Sequence, residues 1–484
     1  MNRDSELVMG IIHTVGSNSG EIINMIKDSL RKFNYTSEVI KVSRQIIQQF
    51  VPPEAESIVD EYDRISYYMD WGNEIRKQTG DGAILMKGVA AYIYSNYRSK
   101  ICDAPRRRVA YIIDSIKHPD EVDFLRKTYG DGFHLIGISD SYENRKNYLM
   151  ERKNLNDERA ESLLERDDNE SDKNGQHTRE AYQESDYFIN AGDESKQIQA
   201  NVFRLLDLLF GNPFITPTFE EYAMFRAYVA SLRSADLSRQ IGAVVAKENE
   251  IIAEGVNDCP RALGVLYWPK YERGKYFDEE LGRDYMLGYD SNKREQQNLI
   301  SNILTALDLD ISDENIKKIK AAGIGKLTEY GRVVHSEMEA LLMCARNNVS
   351  TRGCDMYVTT FPCHSCAKHI IAAGIKKVYY IEPYPKSKAL EFYKREISQD
   401  MKDADKVCFL PFAGVGPHRF MDLFSMKSTK WYPRARKDDK GNKIEWKRGT
   451  ANLRNPMMVL NYIDMEKSAY SQYEREVKHI REEI

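Results

Sequence analysis

Four residues whose types and spacing suit metal chemistry lie in the C-terminal half of the sequence. They are His335, Glu337, Cys363 and Cys366, in the segments HSE and PCHSC. Zinc prefers imidazole and thiolate ligands, and a catalytic zinc site keeps three protein ligands and one open position. One histidine and two cysteines supply that number. We therefore predict one catalytic Zn²⁺ per chain, bound by His335, Cys363 and Cys366.

Glu337 follows the predicted histidine ligand by two residues and would face the same cavity without binding the ion. Zinc lowers the pKa of a bound water to near neutrality. A neighbouring carboxylate can take the proton that this water loses and deliver it elsewhere. Glu337 is therefore predicted to be the catalytic acid and base.

A CxxC pair at the start of a helix also occurs in redox-active proteins and as half of a structural zinc site. Here HxE lies upstream and a proline directly precedes the first cysteine, which completes the sequence signature of zinc-dependent deaminases. His364 and His369 lie nearby but are surplus to this signature, and we expect them not to bind the metal.

Helices and strands must position these residues, and the C-terminal half has such a pattern. Short apolar runs alternate with segments of helical periodicity, which indicates alternating strands and helices. The predicted elements are a helix at 219–233, strands in IGAVVAK and IIAEGVN, a helix at 336–346, a strand in MYVTT, a helix at 366–373 and a strand in KVYYIE.

The N-terminal half begins with a strand at 7–15, the turn GSNSG, a helix from Glu21 and a second strand in EVIKVS. Further buried strands are predicted at 108–114 and 134–139. A strand, helix, strand unit implies a parallel sheet covered by helices. This half is therefore predicted to be α/β.

A chain of 484 residues is longer than one hydrophobic core usually supports, so we expect two domains. The proline-containing segment near 213–217 separates a domain at 1–212 from a second at 218–484, and the second contains a long insertion at 261–330. Residues 151–186 are rich in charged and amide side chains, and we expect an exposed lid or mobile loop there.

Residues 225–385 resemble the deoxycytidylate deaminases of the cytidine deaminase superfamily. SADLSRQIGAVVAKENEIIAEGVNDCP resembles their opening helix, strand and hairpin, and AGIKKVYYIEPYP resembles the segment after their CxxC helix. The resemblance implies an α-β-α sandwich that deaminates a deoxycytidine nucleotide at the ring carbon bearing the amine. It also implies that Asn257 binds the sugar hydroxyl and that Tyr384 helps to enclose the base.

The N-terminal half resembles P-loop nucleoside and coenzyme kinases in the order of DS, HPDEV, HLIGIS and DYFIN, which implies a P-loop kinase-like parallel sheet. A Walker loop, GxxxxGK[ST], has a lysine that reaches the phosphates, whereas the turn here reads GSNSGEI. We therefore expect nucleotide or phosphate binding without phosphoryl transfer; an inactive scaffold is the alternative. The residues expected to contact the ligand are Gly16, Ser17, Ser19, Gly20 and Asp114.

A kinase-like domain joined to a deoxycytidylate deaminase, with the tail segment LPFAGVGP, resembles the bacterial two-domain deaminases that defend against phage. That resemblance implies deamination of dCTP and dCMP, which would deplete cytosine nucleotides during infection. Two alternatives stay open: deamination of a base within RNA or single-stranded DNA, and a nucleotide-sensing regulator whose zinc domain only maintains its fold.

Composition restricts the location and the partners. No apolar run is long enough to cross a membrane and the first residues lack a signal peptide pattern, so we expect a cytoplasmic protein without a membrane partner. Seven cysteines, an odd number, argue against a disulfide framework. We also expect a homo-oligomer, to which the 261–330 insertion could contribute contacts; a substrate lid is its alternative role.

The net charge of -4 gives no general preference for nucleic acid. Residues 427–448 are locally basic and interleaved with Trp431, Tyr432 and Trp446. This segment could bind nucleic acid, such as a regulatory RNA, or the phosphates of the substrate. We favour a β-hairpin turning at 439–442, with its aromatic side chains packed inward.

Overall fold

The computed structural model describes residues 4–52, 58–169, 177–327, 329–384, 387–403, 405–426, 435–457 and 459–483. The chain divides into two units: Met1–Glu221 with Pro411–Ile484 form unit 1, and Tyr222–Leu410 form unit 2. Within the described ranges each unit contains a six-stranded sheet. None of the described helices is both long and apolar enough to cross a membrane.

The first five strands of unit 1 pair in parallel, in the order β2, β3, β1, β4, β5. They are β1 (Leu7–His13), β2 (Thr36–Lys41), β3 (Val109–Ile116), β4 (Phe133–Ser139) and β5 (Tyr187–Asn190). β1, β3 and β4 are nearly continuous apolar runs that are buried along most of their length, as expected for central strands covered on both faces. The parallel α/β sheet predicted for this half is therefore present.

In the described part of unit 1, eight α-helices precede unit 2. They are α1 (Ser19–Arg31), α2 (Glu61–Thr79), α3 (Ile84–Ile93), α4 (Pro119–Tyr129), α5 (Tyr142–Lys153), α6 (Asp157–Asn169), α7 (Thr178–Tyr182) and α8 (Ser195–Leu209). α1 buries the predicted apolar face, which includes Ile22, Ile26 and Leu30, in a core shared with α8 and the sheet.

The expectation of an exposed lid or mobile loop at 151–186 is wrong for most of this segment. α6 and α7 occupy much of it, and Ala160, Leu163 and Leu164 are buried in a cluster with Met69 and Leu149. The spacing of these three α6 residues gives one apolar helix face, which the surrounding charges obscure in the sequence. Residues 170–176 lie outside the described ranges.

The sheet of unit 2 has the order β12, β13, β11, β10, β6, β7. The strands of this unit are β6 (Gly242–Lys247), β7 (Glu250–Val256), β8 (Lys270–Glu272), β9 (Lys275–Phe277), β10 (Asp355–Thr360), β11 (Lys377–Glu382), β12 (Ile397–Ser398) and β13 (Val407–Pro411). β6 runs antiparallel to β7 and β10, whereas β10 and β11 are parallel. The β6–β7 hairpin turns at Glu248 and Asn249, both left-handed, as a tight two-residue hairpin requires.

Six helices accompany this sheet. They are α9 (Phe219–Ser231), α10 (Ser291–Ala306), α11 (Asp313–Ala321), α12 (Ser336–Arg346), α13 (His364–Ala372) and α14 (Ala389–Phe392). The 261–330 insertion contains the small β8–β9 hairpin together with α10 and α11. The insertion is therefore partly helical.

The C-terminal segment returns to unit 1. β14 (Gly414–Val415) pairs antiparallel with β5, and α15 (Pro417–Phe424) and α16 (Val459–Glu483) follow. The Arg98 guanidinium, wholly buried, donates hydrogen bonds to Glu6 and to Glu466 of α16. The domain expected at 218–484 therefore stops at Leu410 in the structure, because residues 411–484 pack with unit 1.

The described part of the basic segment forms the predicted turn. The Asp438 amide donates to Asn442 O at 2.8 Å, and Lys437 and Lys443 form an antiparallel bridge. Trp446 packs against Phe33 at a ring-centroid distance of 6.3 Å. Trp446 therefore packs inward, as the hairpin interpretation expects. Trp431 and Tyr432 lie outside the described ranges.

Candidate active site

The three predicted metal ligands converge in unit 2. His335 Nδ1 lies 3.5 Å from Cys363 Sγ and 3.3 Å from Cys366 Sγ. The three donor atoms all lie within 4.8 Å of one another, and Cys366 is buried. The structure thus brings together residues that are about 30 positions apart in the sequence.

Two helix starts place these ligands. Cys363 is the N-cap of α13, and its sulfur accepts a hydrogen bond from the Cys366 amide at 3.4 Å. His335 is the N-cap of α12, directly after Val334, which bridges to Asp258. Both CxxC sulfurs therefore lie at the first turn of one helix, where the helix dipole favours a thiolate.

A glycine in β7 lets α12 approach the sheet closely. A Cβ atom at Gly255 would lie 2.0 Å from Ser336 O and 2.5 Å from Ala340 N, both backbone atoms of the α12 segment. Any larger residue would push α12 away from the sheet. Gly255 therefore helps to set the position of His335 and Glu337.

The electrostatics of His335, Cys363 and Cys366 favour a thiolate at Cys363. Hydrogen bonds from the Cys366 thiol and from His335 lower the pKa of Cys363 to about 4, although burial opposes the shift. The hydrogen bond with Cys363 raises the pKa of His335 to about 9. A metal ion bound here would displace the proton on the imidazole and the proton on the Cys366 thiol.

The donor set fits zinc. A tetrahedral zinc ion at its usual bond lengths separates nitrogen and sulfur ligands by about 3.6 Å, and the observed separations are 3.5 and 3.3 Å. Among the described His, Cys, Asp and Glu residues, the group that could hold a metal ion consists of His335, Cys363 and Cys366. A zinc ion held by them would keep one position for a non-protein ligand, as a catalytic site requires.

Glu337 lies beside the trio without belonging to it. Its side chain is 5% exposed, accepts a hydrogen bond from Ser336 Oγ at 3.0 Å and is within hydrogen-bonding reach of the Cys366 thiol. Burial raises the pKa of Glu337, and the negative charge of Cys363 adds to this effect. A carboxyl group with a raised pKa is suited to exchange protons near neutral pH.

Asn257, the expected sugar contact, is buried at the end of β7. Its Oδ1 accepts from the Ile241 amide at 2.7 Å, and its Nδ2 donates to Arg239 O at 2.8 Å. The Asn257 carbonyl accepts from Ser234 Oγ at 2.7 Å. Asn257 therefore fixes the 234–241 loop, and one amide hydrogen remains in excess of these bonds.

Tyr384, the expected base contact, is half-buried and packs against the hydrophobic cluster beside Cys363. The Arg239 guanidinium lies 5.5 Å from its ring centroid, and Arg239 also pairs with Glu382 at 3.2 Å. The loop that Asn257 fixes therefore reaches Tyr384 through Arg239. Sequence reasoning missed Arg239 because an arginine in a polar loop carries no local signal.

Comparison with known proteins bears on the same residues. The model of the cytidine and deoxycytidylate deaminase zinc-binding region matches residues 217–382, which include His335, Glu337, Cys363 and Cys366. The deoxycytidylate deaminase of Enterobacteria phage T2 is 30% identical over 162 residues, which are 34% of this chain and 79% of that protein. This chain belongs to the cytidine and deoxycytidylate deaminase family.

Other known proteins are similar to parts of this chain. The deoxycytidylate deaminase of Enterobacteria phage T4 is 32% identical over 34% of this chain and 77% of that protein. The Homo sapiens deoxycytidylate deaminase is 29% identical over 33% of this chain, which spans 63% of the human protein. The dCMP deaminase structure from cyanophage S-TIM5 with dCMP and dUMP is 20% identical, covering 40% of this chain and 98% of that chain with a TM-score of 0.23.

The residues predicted to bind a nucleotide in unit 1 also come together. Gly16, Ser17, Ser19, Gly20 and Asp114 line one cavity of about 450 Å³. Asp114 Oδ1 lies 3.3 Å from His13 Nε2. Although burial acts to raise it, the pKa of Asp114 is held below its usual value by His13, with smaller contributions from Lys41 and Lys117. Asp114 therefore stays ionised in a cationic surrounding.

Proposed function

We propose that this protein catalyses zinc-dependent hydrolytic deamination of a deoxycytidine nucleotide, converting dCTP or dCMP to dUTP or dUMP and ammonia. The observation that carries the proposal is the buried Glu337 carboxyl beside three zinc-type donor atoms. A structural zinc site has no use for such an acid. The names of the relatives, deoxycytidylate deaminases of phage and human origin, support the substrate class.

In the proposed reaction, His335, Cys363 and Cys366 would hold the zinc ion, which would make a hydroxide available near neutral pH. Glu337 accepts the proton that water loses and passes it to the ring nitrogen beside the amine-bearing carbon. Glu337 then takes the second proton from the hydroxyl group that was added to this carbon and delivers it to the amine, which leaves as ammonia while the carbonyl forms. Water provides the new carbonyl oxygen, so one water is consumed for each ammonia released.

Substrate contacts are proposed for Asn257 and Tyr384. The amide hydrogen of Asn257 that the loop does not use can donate to a sugar hydroxyl. Tyr384, which packs against the same hydrophobic cluster as Cys363 and lies 5.5 Å from the Arg239 guanidinium, can cover one face of the base. Replacing Asn257 or Tyr384 should therefore raise the KM for the nucleotide and leave the zinc content nearly unchanged.

A test of the reaction is to incubate the purified protein with dCMP, dCTP, single-stranded DNA and RNA, and to measure ammonia release. We expect release from a free nucleotide and none from the polymers. Release only from a polymer would favour the alternative of a base-editing enzyme. No release from any of them, with zinc bound, would favour a nucleotide-sensing regulator.

We also propose that the reaction depletes deoxycytidine nucleotides in defence against phage. The support is the combination of an N-terminal P-loop-like order of segments with a deaminase unit and the tail segment LPFAGVGP. Expression in bacteria should lower dCTP and dCMP after phage infection and reduce plaque number. Unchanged plaque number despite measurable nucleotide loss would refute the defensive role while leaving the chemistry intact.

A further inference from the structure

We propose that the 450 Å³ cavity of unit 1 binds a nucleoside polyphosphate through cations that lie outside the glycine-containing turn. Its volume is in the range of small-molecule sites. The cavity is lined by residues at the carboxyl ends of β1, β2 and β3. In an open parallel sheet, ligands bind at this edge where the strand order reverses, and here β1 lies between β3 and β4.

Positive side chains outnumber negative ones in the cavity lining. Six lysines and arginines face two carboxylates, Asp114 and Glu61. The six are Lys41, Arg44, Arg64, Arg76, Lys117 and Lys153. Such an excess of positive charge in a concave site attracts a ligand with several negative charges.

Several of these charges are left over after internal pairing. Lys41 and Arg44 follow the end of β2, are exposed, and their side chains have no hydrogen bond or ion pair among the described residues. Arg64 and Lys153 share a single carboxylate, Glu61, at 2.6 and 3.1 Å. The cavity therefore retains cations for an anionic ligand at its β2 and α2 side.

Lys117 places a positive charge at the base of the glycine-containing turn, which has no lysine or arginine of its own. Its Nζ donates to His13 O at 2.6 Å, at the last residue of β1. Lys117 lies just beyond β3, about 100 residues from the turn, so the two meet only in the folded chain. This lysine, which also lies 3.6 Å from the buried carboxylate of Asp167, places a positive charge beside a turn whose sequence, GSNSGEI, contains no lysine or arginine.

The turn is held in place by the helices that precede β5. Arg145 Nε donates to Val15 O at 2.8 Å, and the Val15 amide donates to the buried carboxylate of Asp167 at 2.7 Å. Gly16 has a φ of +84°, and a Cβ there would lie 2.7 Å from Arg145 O. The turn leads directly into α1, and the N-terminal end of a helix favours an anion.

The rest of the lining is apolar and aromatic, which a bare polyphosphate would not need. It includes Ile47, Ile65, Tyr68, Met69, Leu85 and Tyr148. A nucleoside offers an apolar face of matching character. The ligand class is therefore a nucleotide with at least two phosphates.

The test is calorimetric titration of the full-length protein with inorganic tripolyphosphate, orthophosphate, ATP, GTP and dTTP at constant ionic strength. We expect tripolyphosphate to bind at least about tenfold more tightly than orthophosphate, because more charge-assisted hydrogen bonds form. At least one nucleotide should bind more tightly than tripolyphosphate. If no nucleotide does, the nucleoside part of the assignment is wrong.

The decisive variant is Lys41→Ala with Arg44→Ala, since both side chains are exposed and unpaired and the fold does not depend on them. Its affinity for tripolyphosphate should fall at least about tenfold. The matched control, Lys127→Ala with Lys196→Ala, removes the same charge from exposed sites of unit 1 outside the cavity. Equal affinities of the two double variants, or no binding by the unmodified protein at millimolar tripolyphosphate, would overturn the proposal.

Discussion

Replacing Glu337 by Gln removes the proposed proton carrier while keeping the size of the side chain. A general acid or base typically contributes about 10²- to 10⁴-fold to a reaction rate. Each tenfold corresponds to about 1.4 kcal/mol of activation free energy, so the barrier should rise by about 3 to 5 kcal/mol. Because Glu337 serves at more than one proton transfer, we expect a loss toward the upper end of this range.

The structure also predicts what Glu337→Gln leaves unchanged. The glutamine carbonyl can accept the same hydrogen bond from Ser336 Oγ, now made at 3.0 Å. The three ligand residues are untouched, and a buried charge is removed. Zinc content by elemental analysis should therefore stay near one per chain, and the free energy of unfolding should change by less than about 1 kcal/mol.

The assay is steady-state ammonia release from dCMP and dCTP, with zinc content and thermal unfolding measured on the same preparation. Glu339→Gln is a matched control, because Glu339 lies on the same helix but pairs with Arg346 at 2.5 Å. This control should lower thermal stability and keep turnover within a few-fold. Near-normal turnover of Glu337→Gln would refute the mechanism, and loss of zinc would reveal a structural role for Glu337.

Three further outcomes follow from the structure. Cys363→Ala should lose zinc, and a full zinc equivalent by elemental analysis would contradict the ligand assignment. The purified protein should not hydrolyse ATP or GTP, because the turn lacks a Walker lysine; hydrolysis that disappears in Asp114→Ala would contradict this. Burial raises the pKa of Glu466 to about 7 despite Arg98, so this group lowers folding stability as pH rises from about 4.5 to 7. Arg98→Met should cost about 3 to 5 kcal/mol, more at pH 8 than at pH 5.5 by urea unfolding, whereas equal losses at both pH values would argue against this role.

The convergence of His335, Cys363 and Cys366, with Glu337 beside them, could be predicted from sequence because it depends on short spacings. The two cysteines are three positions apart, and His335 and Glu337 are two apart. Each pair lies at the start of one helix, so local geometry brings the members of each pair together. Predicting that the two pairs meet required only the alternating order of strands and helices, which the apolar pattern also indicated.

The cationic cavity could not be predicted in the same way. Lys117 and the glycine-containing turn approach each other only because β3 lies beside β1. Asp167 lies in a segment whose charged composition suggested exposure, yet its side chain is buried and accepts a hydrogen bond from Val15. Long-range pairings of this kind leave no periodic signal in a single sequence.

The boundary near residue 410 escaped prediction for a related reason. Glu466 and Tyr462 of α16 are bound to Arg98 and Glu6 near the other end of the chain. Buried ionic contacts of this kind leave no hydrophobic pattern in the sequence. The sequence therefore did not indicate which core α16 joins. The proline-containing segment at 213–217 marks one crossing between the units, but the second crossing carries no such signal.

The return of the C-terminal segment determines the order in which the two units can be completed during protein synthesis. Residues 222–410 leave the ribosome before Glu466 does, so the deaminase unit can finish folding while Arg98 still lacks this partner. The unit that contains the first strand is thus the last to be completed. A nascent chain interrupted after residue 410 would contain the proposed zinc ligands and Glu337, but its unit 1 would lack α16.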